Sequence, residues 1–374
     1  MDIYWYWPYL RREELALARG VVRTGDRLLV HATPRPENPV VTDLPGVELL
    51  DPLPGVDERT AEGSVRWAVS RAGTYLARMR ARARAVRVHR PDLAHVIYLN
   101  PFVDALSLGS LARRVPLVST VHDVVPHQRR LPVGVQRRAL EREYAAAGAI
   151  VVHHDWVGRR LLEEFDLDPG RIHHVPIQVI PAPPVAHGGP EGPPEVLFFG
   201  TFRRNKGIDV LLDAIHRIPA EIECRFVIAG RGFADVEAAV RDAAAHDPRV
   251  VAEIGYATAL RKAELYARAH VNVLPYTAFE SQSAVLQDAY ANGVPLVVTD
   301  VGALGDTVRT DGTGRVVAPR DPDALAGAIV TLLLDAPARA GYAGAMARLA
   351  AARSPERVGA LLRGVYEEVL GSPQ

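Results

Sequence analysis

Short apolar runs alternate with longer amphipathic ones along the chain, and the scheme occurs twice. In the first half, strands are predicted at "DIYWYW" (2–7), "RLLVHA" (27–32), "HVIYLN" (95–100), "PLVSTVH" (116–122), "AIVVHH" (149–154) and "IHHVPI" (172–177). Helical spacing occupies 11–23, 64–88, 134–147 and 155–165. In the second half, strands are predicted at 195–200, 224–230, 250–255, 271–276 and 295–300, and helices at 206–217, 233–246, 258–268, 282–292, 322–334 and 337–352. Near-continuous apolar strands alternating with helices call for parallel sheets covered on both faces. Residues 179–194, rich in proline and glycine, can continue neither a helix nor a central strand and read as a linker. The expected fold class is therefore α/β: two Rossmann-like domains, 1–178 and 195–353, whose parallel sheets face a central cleft. A final helix within 354–374 opens with Ser354 as N-cap and Pro355 at the first helical position, and is expected to return to the first domain.

Composition narrows the function. At 374 residues two cores are the natural expectation. The net charge is zero, whereas nucleic-acid binders show a basic excess, so no nucleic-acid partner is expected. The single Cys224 excludes an intrachain disulfide and any cysteine-rich metal site. The opening "MDIYWYWPYLRREE" does not read as a secretory signal, and no apolar run approaches the ~20 residues that span a bilayer. The expected location is the cytoplasm.

The chain has 42 arginines and only two lysines, Lys206 and Lys262. In "FGTFRRNKGIDVLLDAI" (198–214), a buried strand ends, a basic loop follows and a helix begins. Arg203, Arg204 and Lys206 thus fall at the carboxyl end of a strand, where ligands of such sheets bind. A compact ammonium sits between phosphate oxygens, while guanidinium prefers a planar, bidentate partner. The alternative is a solvated lysine at a helix start, but a cation there opposes the helix dipole.

A second strand end carries "LPYTAFESQSAVLQDAYANGVPLVVTDVGALGD" (274–306). Glu280 falls in the loop. The amides of Ser283, Ala284 and Val285 are expected at a helix start, suited to a diphosphate. Asp288 lies one to two turns into that helix, and "VGALGD" reads as a second glycine-rich loop. Taken singly, Glu280 also suits a helix start and Asp288 a solvent-facing turn.

Together these stretches resemble the retaining nucleotide-sugar enzymes of glycosyltransferase family 4, which have the GT-B fold. "FGTFRRNKGIDVLLDAI", "IAGRG" (228–232), "YARAHVNVLPY", "AYANGVPLVVTDVGALGDTV" and "DGTGRVVAPRDPDALAGAI" carry the likeness over roughly 195–335, and "RPDLAHVIYLN" and "STVHDVVPH" extend it over 90–180. The resemblance implies that Lys206 and Arg203 bind the donor diphosphate, that Glu280 faces the donor sugar and that Asp288 contacts ribose. It places the 283–285 amides at the phosphates, Gly200 at the strand end beside them and Gly255–Tyr256 near the base. It implies a nucleotide diphosphate sugar as donor, a hydroxyl-bearing acceptor and no obligatory cofactor or metal. The chain departs from the pattern in having Asp288 where glutamate is usual, Thr201 where arginine is common, and "SQSAV" for the commoner Gly-Phe-Gly.

In the first domain, His122 and Asp123 end a strand, and the resemblance points His122 at the donor sugar. A His-Asp pair also occurs in metal phosphohydrolases, though on helices. The pairs His153–His154 and His173–His174 are strand neighbours facing opposite ways and make no natural chelate. Tyr9, Arg11, Arg12 and Glu13, in "WPYLRREE", are acceptor-side candidates or the start of an amphipathic helix. Residues 64–91 carry eight arginines and no acid. They spread round a helix rather than lining one face, which favours a solvated helix over peripheral contact with the inner face of an anionic membrane.

Rival readings are a GT-B nucleotide-sugar epimerase or pseudo-glycosyltransferase, a dinucleotide oxidoreductase and a noncatalytic nucleotide-sugar binder. "GRGFAD" is at most half a dinucleotide fingerprint and follows an interior strand.

Overall fold

The apolar runs of the first half pair side by side. A computed structural model describes residues 1–33, 42–55, 65–98, 107–122, 124, 133–185, 192–279 and 283–371, without the side chains of 12, 13, 65–68 and 133. Its first sheet comprises β1 (Asp2–Tyr6), β2 (Arg27–His31), β3 (Val47–Leu49), β4 (Leu93–Val96), β5 (Leu117–Val121), β6 (Ala149–Val152) and β7 (Ile172–His174). Their order is β3-β2-β1-β4-β5-β6-β7, every pair parallel. β1 lies inside the sheet between β2 and β4, and Ile3 to Tyr6 are all buried, because helices cover both faces. That is why the run shows no alternation. Around this sheet lie α1 (Ala18–Val21), α2 (Val65–His89), α3 (Leu108–Ala112), α4 (Val133–Ala146) and α5 (Asp155–Glu164).

The second half repeats the construction with β8 (Glu195–Phe202), β9 (Arg225–Gly232), β10 (Val250–Ile254), β11 (Ala269–Leu274), β12 (Leu296–Thr299) and β13 (Gly314–Val317). The parallel order is β10-β9-β8-β11-β12-β13. The helices are α6 (Ile208–Arg217), α7 (Ala234–His246), α8 (Ala259–Arg268), α9 (Ala284–Asn292), α10 (Ala303–Asp311), α11 (Pro322–Leu334) and α12 (Ala336–Ala352). Period-two geometry splits β8 between two cores. Val196 and Phe198 join Leu211, Ile215 and Ile329 on one face, and Leu197 joins Leu286, Tyr290 and Met346 on the other. Each such side chain contributes about 1.5–3 kcal/mol on burial.

The chain divides into two compact units, Met1–Ile177 with Pro355–Gln374, and Gln178–Ser354. The last helix, α13 (Pro355–Gly371), therefore belongs to the first unit. Val358, Leu362, Val365 and Tyr366 enter the first core. The Tyr366 hydroxyl accepts from Trp5 Nε1 at 2.9 Å and meets His95 Nδ1 at 2.6 Å. Arg363 donates to the Val21 carbonyl at 2.7 Å and pairs with Asp26.

The structure corrects several expectations. β3 and β13 were not predicted: both are edge strands whose short apolar stretch is broken by an exposed charge, Glu48 or Arg315, so neither shows a continuous apolar run. The predicted helix at 11–23 is a 3-10 turn over Arg12–Leu17 followed by the four-residue α1. "VGALGD" is not a loop throughout, since Gly302 is the N-cap and α10 starts at Ala303. Nor is α2 simply solvated. Arg78 and Arg82 are 3% and 2% exposed, with Arg82 over the Tyr6 ring and Arg78 donating to the Pro54 carbonyl at 2.9 Å. Arg80, Arg84 and Arg87 remain exposed. Among the described residues, no single helix is long and apolar enough to cross a membrane.

Candidate active site

Lys206 does not begin the helix, as its sequence context suggested. It ends a 3-10 turn, Arg204–Lys206, and Gly207 follows with φ +65° before α6 starts at Ile208. Glycine is required at 207 twice over. Its φ is left-handed, and a Cβ would meet the Pro275 carbonyl oxygen at 1.8 Å. The turn is thus pressed against the segment leaving β11. Two further bonds hold it there: the Thr277 amide donates to the Asn205 carbonyl at 3.0 Å, and Asn205 Nδ2 donates to the Ala278 carbonyl at 3.2 Å.

This docking places the Lys206 ammonium between two rings, 3.6 Å from the centre of Tyr276 and 4.5 Å from that of Phe279. The rings meet edge to face at 5.2 Å. Burial, with the Arg203 charge adding to it, brings the ammonium down to about 7. Aromatic faces favour the cation by about 0.5–2 kcal/mol, which offsets part of the burial penalty. No carboxylate pairs with Lys206 among the described residues.

The same aromatic segment leads to α9. The hydroxyls of Tyr276 and Ser283 lie 3.0 Å apart, and Ser283 is the N-cap of α9. Ala284 and Val285 fill the first turn, whose amides lack intrahelical acceptors. Val285 lies beside Gly200, 4.0 Å from where a Cβ would stand. Gly200 pairs with Gly230 across β8 and β9, and the Gly255 amide donates to the Gly230 carbonyl at 2.8 Å. A Cβ on Gly230 would stand 1.8 Å from the Gly200 carbonyl oxygen, so this edge is built of bare backbone. Tyr256 follows, 59% exposed, under the Arg231 guanidinium.

Asp288 is already engaged. Lys262 Nζ on α8 lies 2.5 Å from its Oδ1, each side chain about a quarter exposed (27% and 25%). Tyr266 is buried behind it, its hydroxyl without a hydrogen-bond partner among the described residues, and the Asp288 charge adds to the burial that raises its pKa.

In the first unit the strand ends carry a row of rings. Tyr9 meets Tyr98 at 4.6 Å, Tyr98 meets His122 at 5.4 Å, and His122 meets His153 at 5.1 Å. His122 Nε2 bonds the Ile97 carbonyl at 2.9 Å, which fixes its ring. His154 caps α5, accepting from the Trp156 amide at 3.0 Å. Arg11 is tied to Glu14 through Nε at 3.0 Å and Nη2 at 2.8 Å. Glu280, Asp123 and the side chains of Arg12 and Glu13 lie outside the described residues. Among the described residues, no three His, Cys, Asp or Glu side chains converge to hold a metal ion.

Thus Arg203, Lys206, Gly200, Ser283, Ala284 and Val285 come together at adjoining strand ends, with Gly255 and Tyr256 further along the same edge. Sequence reasoning missed Tyr276, Phe279, Tyr98 and Lys262. The aromatics in "LPYTAF" were the available signal for the first two.

Two family profiles match the two halves of the chain. Glycosyltransferase Family 4 covers residues 15–179, and Glycosyl transferases group 1 covers residues 193–335. The D-inositol 3-phosphate glycosyltransferase of Xylanimonas cellulosilytica is 30% identical over 91% of this chain and 86% of its own length. The chain belongs to the family 4 glycosyltransferases. Among solved structures, this glycosyltransferase superposes on sucrose-phosphate synthase from Thermosynechococcus elongatus with a TM-score of 0.76, over 100% of both chains at 20% identity. It also superposes on Anabaena HepE, solved in complex with UDP-glucose, with a TM-score of 0.70 over 99% of each chain at 17% identity. Its two parallel sheets are those of the GT-B fold.

Proposed function

We propose that this glycosyltransferase moves a hexosyl group from a nucleotide diphosphate sugar to an acceptor hydroxyl, with retention at the anomeric carbon. The observation that carries the reading is Lys206: a cation without a carboxylate partner among the described residues, boxed by Tyr276 and Phe279, one hydroxyl contact from the N-cap of α9. Lys206, Arg203 and the amides at 283–285 stabilise the leaving diphosphate as its charge grows. Asp288 serves the ribose, Gly200 and Gly255 leave room for the nucleotide, and Tyr256 lies at the base. Glu280 and His122 address the donor sugar, with the acceptor attacking the face that the diphosphate leaves. The second unit binds donor. The first binds acceptor, with Tyr9, Arg11, Arg12, Glu13 and Asp123 as its candidates, and contact with a membrane through 64–91 rests on its exposed arginines alone. The inositol phosphate acceptor named for the Xylanimonas relative and the UDP-glucose bound by the Anabaena protein are the first substrates to try.

The test is a thermal-shift screen of nucleoside diphosphates and their sugars, then transfer assays with the donor that binds. Ligand at 100 times its dissociation constant adds about 2.7 kcal/mol of stability. A charge-assisted contact is worth about 1.5–3 kcal/mol, so Lys206→Ala should slow turnover on the order of 10–100-fold. Retention is read from the anomeric proton of the product. No shift with any nucleotide, or near-normal turnover of Lys206→Ala, defeats the reading.

A further inference from the structure

A cavity of about 440 Å³ opens on the second unit beside the 203–205 turn. Its wall carries Arg203, Arg204, Asn205, Asp209, Asp235 and Arg320. Lys206 is not part of it. Three guanidiniums face two carboxylates, and Asp235 is taken by Arg204 at 2.7 Å. Among the described residues Arg203 and Arg320 have no ion-pair partner. Ile208 and Val236 add apolar surface.

Arg320 is the unusual member. Its φ is +59°, and only one other described non-glycine residue, Arg90, has a positive φ. The left-handed conformation is sterically unfavourable for an L-residue, and glycine adopts it without that strain. Local architecture needs only the turn: the next residue, Asp321, caps α11 by accepting from the Ala324 amide at 2.9 Å. The arginine side chain contributes nothing to that cap. A side chain kept at a backbone position that penalises it, and lining a cavity with a second unpaired cation, points to a role in binding.

We propose that this cavity is an anion site for the phosphate monoester of a small organic molecule, gripped by Arg203 and Arg320. Two planar guanidinium forks match the phosphate oxygens, and the apolar wall takes part of the carbon body. The site is distinct from the Lys206 box but shares Arg203 with it. Its ligand is either a phosphate carried by the acceptor or a separate phosphorylated effector.

Calorimetric titration with glycerol 3-phosphate and with inorganic phosphate, at constant ionic strength, tests the site without any turnover. Its failure is therefore separable from failure of the proposed reaction. Saturable binding is expected to the wild type and to Lys206→Ala. Arg320→Gly should weaken it at least about fivefold, while the ligand-free melting temperature stays level or rises as the backbone strain is relieved. Equal affinity in wild type and Arg320→Gly, or no saturable binding by the wild type, overturns the proposal. So does a fall in the ligand-free melting temperature of Arg320→Gly, which would mark a structural arginine. Mass spectrometry of phosphorylated compounds that bind through Arg320 then identifies the source. Conversion to a glycosylated product marks an acceptor phosphate, and recovery unchanged marks an effector; both uphold the site.

Discussion

Lys262 and Asp288 form a 2.5 Å ion pair that ties α8 to α9. The carboxylate is one methylene shorter than the glutamate that the family pattern favours, and the lysine holds it. Both side chains are about a quarter exposed, so the pair is worth near the upper end of the surface range, about 1 kcal/mol. Lys262→Met and Asp288→Asn should each lower stability in urea denaturation by roughly that amount, and the double variant should lose little more. Lys262→Met should also raise the donor KM several-fold with kcat nearly unchanged, because it loosens the proposed ribose contact and leaves the proposed leaving-group cations alone. Fully additive stability losses would show that the two residues act independently.

Gly207 and Gly312 share a left-handed backbone, φ +65° and +63°, but not a neighbourhood. A Cβ on Gly312 meets nothing within 4 Å, whereas one on Gly207 collides with the Pro275 carbonyl. Gly312→Ala should therefore cost only the conformational term, about 1 kcal/mol. Gly207→Ala should cost about 3 kcal/mol or more and, by prising the 204–206 turn from β11, abolish nucleotide binding even where the protein remains folded. Similar melting temperatures for the two variants would contradict the docking described for this turn.

Three imidazoles set a limit at acid pH. Burial drives His95 and His153 down to about 3 and His31 to about 4. His95 is held by Tyr366 and Thr120, and His31 by the Tyr4 hydroxyl. Unfolded histidine titrates near ~6.5. Above that value neither state is charged and stability is complete. As pH falls below it, the unfolded chain takes up protons that the folded chain refuses, so stability declines by up to about 4 kcal/mol per pH unit for three protons. The urea midpoint should fall between pH 6.5 and 5, and His31→Gln should remove about one proton from the uptake. An unchanged slope in that variant would mean His31 titrates normally when folded.

The strands legible in the sequence are those buried on both faces, such as β8 and β11, where an unbroken apolar run of strand length has to be covered from both sides. β3 and β13 lie at sheet edges and are interrupted by the exposed Glu48 and Arg315, so they show no such run. The strand-loop-helix setting of Lys206 was legible because glycine and basic residues mark the end of a strand. Its aromatic box was not, since Tyr276 and Phe279 reach Lys206 only through the β8–β11 pairing. The Lys262–Asp288 pair likewise depends on which faces of α8 and α9 meet, and the strain at Arg320 is a backbone property that no residue pattern announces. Helical periodicity did separate the arginines of α2, but only packing shows that Arg78 and Arg82 turn inward.

Donor binding should be accompanied by proton uptake at Lys206. In the free protein, burial and Arg203 hold the ammonium at about 7, so at pH 8 most of it is neutral. A diphosphate placed against it favours the charged form and raises that value. At pH 8 binding should then take up nearly one proton, and at pH 6, where the lysine is already charged, almost none. The sign follows for affinity: each pH unit above 7 should weaken binding by up to about tenfold, until the bound lysine also titrates. A nucleoside diphosphate sugar is the proper ligand, because its diesterified phosphates do not titrate in this range. Calorimetry at pH 8 in two buffers of different ionisation enthalpy reads the proton directly. Lys206→Arg is the decisive control: guanidinium stays charged at every pH used, so its binding heat should be the same in both buffers. A wild type that also shows identical heats in the two buffers would place the diphosphate away from Lys206.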